Sequence, residues 1–217
     1  MVSTKSINFA SGDNVLEGIA HLPEESETEG VVVLCHPHPR YGGNMDNHVT
    51  LTLAATLAQH GLAALRFNFR GVGKSGGEHT GGSGEPQDVL AAVEAARGLA
   101  ETPEPKLALA GYSFGAVMAA LAAPDLPGLR ALALVSPAVA SLPAERLGES
   151  GPPTLIVAGE QDPIAPQNSL QKLAAGMGER CKLIIMPATD HFWGQGFEMA
   201  AARITAWLLK TLRQGAG

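Results

Sequence analysis

The stretch Gly111-Tyr112-Ser113-Phe114-Gly115 constrains this chain more than any other. Apolar residues lead into it up to Ala110, and small helix-forming residues lead out of it from Ala116 to Ala123, so the pattern reads as strand, sharp turn and helix with one serine at the bend. A serine hydroxyl is a poor nucleophile at neutral pH unless a base is brought to it and its oxygen is exposed. The turn meets the second need. Gly111 and Gly115 remove side chains where the backbones of strand and helix crowd, which leaves Ser113 at the tip in a strained conformation. The backbone N–H of Phe114, at the start of the helix, then points toward any negative charge that forms beside Ser113.

The 217 residues, 45% of them hydrophobic, suit a single domain spanning residues 1–217 that buries roughly 70% of its unfolded surface. A formal net charge of -6, with its 15 basic and 21 acidic residues thinly spread, offers no basic stripe for nucleic acid and no polybasic run for a membrane surface. Cys35 and Cys181 are too few for a disulfide framework, and the opening residues lack the apolar stretch of a signal peptide, so a cytoplasmic protein with reduced thiols is expected. Residues 107–124 carry no charge and approach the length of a membrane span, but the glycine–serine turn interrupts them. A buried strand and helix fit better.

In chain order, residues 5–22 read as two strands of an opening hairpin, joined at the turn cluster 11–14 between Ile7-Asn8-Phe9 and Val15 to Ile19. After an acidic loop at 24–29, Val31 to Cys35 is an apolar run of the kind buried on both faces of a parallel sheet. Helix and strand then alternate. Helices are expected near 46–59, 85–100, 116–123, 167–175 and 195–212, and strands at 62–69, 106–110, 129–135, 154–159 and 182–187. The glycine-rich stretch after Phe69 contains Gly71, Gly73 and Gly76 at the spacing of a dinucleotide cradle. No helix opens at Gly76, as a pyrophosphate site requires, so that reading is set aside. His36 and His38 could hold a metal between them, but no nearby cysteine or carboxylate cluster completes a ligand set, and a role in shaping the loop is preferred.

In an open parallel sheet, functional residues gather in the loops at the carboxyl ends of the strands. Ser113, Asp162 and His191 each fall in such a loop, in the order nucleophile, acid, histidine. His191 would take the proton from Ser113 and return it to the leaving group, while Asp162 holds the imidazole tautomer. Glu160 and Asp190 are rival carboxylates: Glu160 is nearer its strand, and Asp190 adjoins the base itself.

These residues, together with Cys35 to Pro39, Gly42 to Asn47 and Arg66 to Ser75, resemble the α/β-hydrolase superfamily, and in particular its small uncapped serine esterases and dienelactone-hydrolase-like members. The resemblance covers nearly the whole chain. It implies an α/β fold with a mostly parallel sheet of about eight strands, an antiparallel N-terminal hairpin, helices on both faces and no cap domain. It also implies a second oxyanion donor two residues past His36, which is His38. With Phe114 that residue would form the oxyanion hole, with Arg40 or Tyr41 as fallback positions. His36-Pro37 stands where many relatives have His-Gly.

Only residues 136–153 separate the strand ending at Val135 from the one starting at Thr154, too few for the helical cap that many relatives insert there. An open site for small or short-chain acyl esters is expected, with Arg40, Tyr41, Met45, Tyr112, Phe114, Phe192 and Trp193 as candidate walls. The partner is a small-molecule ester, and the mechanism needs water but no cofactor and no metal. A thioesterase, peptidase or dienelactone-type hydrolase would use the same three residues, and a non-catalytic binding scaffold would keep only the fold.

Overall fold

The computed structural model describes residues 2–23, 28, 30–100 and 104–214; apart from residue 28, the expected acidic loop lies outside them. Two ten-residue strands, β1 (Val2–Ser11) and β2 (Asn14–Pro23), form the expected hairpin and extend it from 5–22 to 2–23. β3 (Gly30–Cys35), β4 (Leu62–Phe67), β5 (Leu107–Tyr112), β6 (Leu129–Val135), β7 (Thr154–Gly159) and β8 (Cys181–Met186) complete an eight-stranded sheet in the order β1-β2-β4-β3-β5-β6-β7-β8. β2 runs antiparallel to β1 and to β4, and every later pairing is parallel. β5, which carries the glycine–serine turn at its carboxyl end, therefore lies inside the sheet between β3 and β6.

Side chains alternate across a strand, and the apolar runs supply a core on each face. Val31, Val33, Leu109 and Leu134 pack with α2 (Glu85–Arg97), α3 (Phe114–Ala122), α4 (Ala144–Ser150) and α5 (Gln167–Met177). Val32, Leu34, Ala110 and Val157 pack on the other side with α1 (His48–Gln59) and α6 (Phe197–Arg213). α1 starts two residues later than the apolar pattern implies because Asn47 caps it, its side chain accepting the Val49 N–H at 3.0 Å. α6 likewise starts after Gly196, whose φ of 82° suits a residue without a Cβ. α4, absent from the sequence reading, is a short helix that drives Leu147 into the core. Among the described residues no helix is long and apolar enough to cross a membrane.

Candidate active site

The turn after β5 is built by close approach. A Cβ on Gly111 would stand 2.4 Å from the Gly115 carbonyl oxygen, and one on Gly115 would stand 2.2 Å from the Cys35 oxygen at the end of β3. Neither contact is tolerable, so both positions require glycine. Ser113 between them takes φ 55° and ψ −116°, a conformation that costs an ordinary residue about 1–3 kcal/mol, and its N–H is tied to the Val135 oxygen at 2.9 Å. Among the described residues, four non-glycine residues have positive φ, and all four follow the carboxyl ends of β5, β6 and β8: Ser113, Ser136, Ala188 and Trp193.

Ser113 Oγ lies 3.0 Å from His191 Nε2, and His191 Nδ1 faces both carboxylate oxygens of Asp162, at 3.0 and 2.9 Å. With Nδ1–H donating to the carboxylate, Nε2 is left as the acceptor for the serine proton. Asp162 and His191 are buried. Burial alone would raise the Asp162 pKa. Hydrogen bonds from His191, Ser136 and the Ala165 N–H outweigh it and hold the carboxyl below its usual range. The rival carboxylates serve their own loops: Glu160 accepts the Ala188 N–H at 3.0 Å, and Asp190 accepts those of Phe192 and Trp193 at 2.9 and 3.1 Å.

Sequence reasoning missed Ser136. It is fully buried at the end of β6, helps to lower the Asp162 pKa, and accepts the Trp193 indole N–H at 3.0 Å. The available signal was a polar residue directly after an apolar parallel strand, the same signal that marks Ser113 and His36. Trp193 is consequently no wall. Its indole is buried in the core beside Phe197 and reaches the site only through Ser136.

On the opposite side, the loop after β3 is shaped by His36. Its Nδ1–H donates to the Pro37 oxygen at 2.7 Å, and its Nε2 accepts the Phe69 N–H at 3.1 Å. Both nitrogens are used by the backbone. Burial pulls the His36 pKa down to about 4, only partly offset by the Pro37 hydrogen bond, and nearby His79 lowers it further. The ring is therefore neutral. The fallback donors are committed elsewhere: Arg40 N–H bonds His38 Nδ1 at 3.2 Å and Tyr41 N–H bonds the His38 oxygen at 3.1 Å. Among the described residues, the N–H groups of His38 and Phe114 have no protein partner.

A cavity of about 730 Å³ opens over Ser113. Tyr41, Tyr112 and Phe192 line it, and Tyr112 also donates its hydroxyl to the His191 oxygen at 2.8 Å. Arg40 and Met45 stand apart. Arg40 is exposed beyond the lining, and Met45 is buried with its N–H on Asn68 Oδ1 at 2.8 Å. Phe192 and Trp193 are neighbours with opposite fates, 70% and 1% exposed.

A central parallel sheet, a strained serine on the strand-to-helix turn, and a buried acid and histidine from later strand ends define an α/β hydrolase. Solved structures of similar proteins agree. An α/β serine hydrolase homologue from Coxiella burnetii is 31% identical, with 98% of this chain and 97% of that one covered, at a TM-score of 0.79. A putative α/β hydrolase from Agrobacterium tumefaciens is 25% identical over 98% and 97% of the two chains at 0.84. A serine hydrolase without lid from Xanthomonas campestris is 28% identical over 98% and 94% at 0.81. Residues 26–148 match the family model described as serine aminopeptidase, S33, and the chain belongs to that family of α/β hydrolases.

Proposed function

We propose that this protein is a cytoplasmic serine hydrolase of carboxylic esters, working through an acyl-enzyme on Ser113. The observation that carries the reading is the unbroken line of contacts from Ser113 Oγ through His191 to Asp162. Ser113 Oγ attacks the ester carbonyl carbon as its proton passes to His191 Nε2, and the carbonyl oxygen becomes an oxyanion. The N–H groups of Phe114 and His38 receive that charge. Collapse breaks the bond to the alcohol oxygen, which leaves with the proton from His191. Water then attacks the acyl-enzyme, giving its proton to His191, and Ser113 recovers a proton as the carboxylic acid departs. Asp162 stays ionised throughout and stabilises the imidazolium, and Ser136 keeps it in place.

The family description raises a peptide substrate. The walls favour an ester: an aminopeptidase has to receive an α-ammonium group, and this cavity is lined chiefly by apolar and aromatic side chains with neutral polar groups. The two free cysteines, Cys35 buried, accord with a reducing compartment. Turnover of p-nitrophenyl butyrate by the wild type and by Ser113→Ala tests the proposal. A loss of about a thousandfold or more in a folded variant is expected. Equal turnover by the two proteins would refute it.

A further inference from the structure

α3 turns an apolar edge toward the cavity. Phe114, Val117, Met118 and Leu121 all line it, at the i, i+3, i+4 and i+7 positions that share one side of a helix. The small residues between them, such as Ala116, Ala119 and Ala120, are buried in the core. Facing this edge is the glycine-rich loop that follows β4. Gly81 and Gly82 line the same cavity, and a Cβ on Gly82 would stand 3.3 Å from Met118 Cε and 3.7 Å from Phe114 Cε2. Gly82 thus packs directly against Met118 and Phe114, and bare backbone continues the cavity wall that the α3 edge begins.

Glu85 fastens that wall. Its fully buried carboxylate accepts the Thr80 N–H at 2.8 Å, the Thr80 hydroxyl at 2.6 Å and the Gly82 N–H at 2.8 Å, and His79 Nδ1 lies 2.7 Å away. Burial works against the charged carboxylate, but these hydrogen bonds outweigh it and hold the pKa down to about 2. A loop so rich in glycine would otherwise be free to lift away.

The groove along this wall has a measurable reach. From Phe114 to Leu121 the helix advances about 10 Å. An extended backbone advances about 1.2 Å per bond, and a saturated carbon chain does much the same, so about eight bonds span that distance. An acetyl group would touch only the first turn. The leaving alcohol must lie beside His191, which protonates it, and so falls on the side rimmed by Phe192. The α3 side is left for the acyl chain. We infer, on the reading that Ser113 forms an acyl-enzyme, that the groove in the cavity floor lined by the α3 edge and by the glycine-rich loop packed on it binds the substrate's acyl chain. Its preferred occupant is a saturated chain of about eight carbons, with Leu121 setting the length limit. The short acyl group expected from the missing cap gives way to a longer one, because the helix and loop of the fold itself supply the walls.

A p-nitrophenyl ester series of acetate, butyrate, octanoate and laurate tests this. Octanoate should exceed acetate in kcat/KM by about tenfold or more, with a fall again at laurate. Leu121→Trp should lower the octanoate-to-acetate ratio about tenfold. The rates at which methyl- and octyl-fluorophosphonates label Ser113 in the wild type give a second reading that needs no folded variant, and the octyl probe should react about tenfold faster. Equal labelling rates, or a preference for acetate over octanoate, would overturn the groove while leaving the serine-hydrolase reading intact. No labelling by either probe would remove that reading and the groove with it.

Discussion

The β1–β2 hairpin and the carboxyl ends of the parallel strands are built on opposite terms. The hairpin pairs without interruption from Val2 opposite Pro23 to Ser11 opposite Asn14, and its one positive φ falls on Gly12, where it costs little. The strand ends hold four non-glycine residues at positive φ among the described residues and bury His36, Ser136, Asp162 and His191. Each buried polar group there is satisfied by a specific partner, and each strained residue is braced by a close neighbour. Regular geometry serves the edge that only has to be stable. Strain and buried polarity are concentrated around the line of contacts from Ser113 through His191 to Asp162.

The strongest way to break this contrast is Gly115→Ala. The added methyl would meet the Cys35 and His36 oxygens at 2.2 and 2.4 Å, both of them backbone. A destabilisation of about 3 kcal/mol or more is expected by urea unfolding, with ester turnover lost even in the fraction that folds. Acid is the next lever. The folded His36 pKa of about 4 lies below the ordinary value of 6.5, so between those pH values the unfolded chain binds a proton that the folded protein does not. Stability therefore falls as pH drops from about 6.5 to about 4, by up to about 3 kcal/mol. His36→Gln should be less stable at neutral pH and should lose this slope, seen as urea midpoints across the range. The smallest effect belongs to the hairpin. A Cβ on Gly12 meets nothing within 4 Å, so Gly12→Ala should cost only about 1 kcal/mol, from its φ of 58°, and should leave turnover unchanged. A large loss of activity at Gly12, or none at Gly115, would erase the distinction between the two regions.

The same contrast explains what could be read from the chain. Apolar runs such as Val31–Cys35 announce strands buried on both faces, and the order of Ser113, Asp162 and His191 points to residues that the structure does bring into contact. Patterns of this kind are local or follow from topology. Burial of an individual loop side chain is neither. Whether Phe192 or Trp193 faces the cavity depends on a φ of 55° at Trp193 and on a hydroxyl at Ser136, 57 residues away in the chain. Met45 points away for a similar reason, since Asn68 holds its backbone from another strand end. α4 is too short for its periodicity to show, with Leu147 its one deeply buried side chain among those described. The groove is hardest to foresee, because the absence of a cap says nothing of the wall that Glu85 makes from glycines.

The central claim is that Ser113 is a nucleophile activated by His191 and Asp162. Reaction of the folded wild type with a fluorophosphonate, followed by peptide mass mapping, tests it most directly. The account predicts one adduct per chain, located on Ser113, and labelling slowed by about a thousandfold or more in Asp162→Asn. An unlabelled wild type, or an adduct on any other residue, would contradict it.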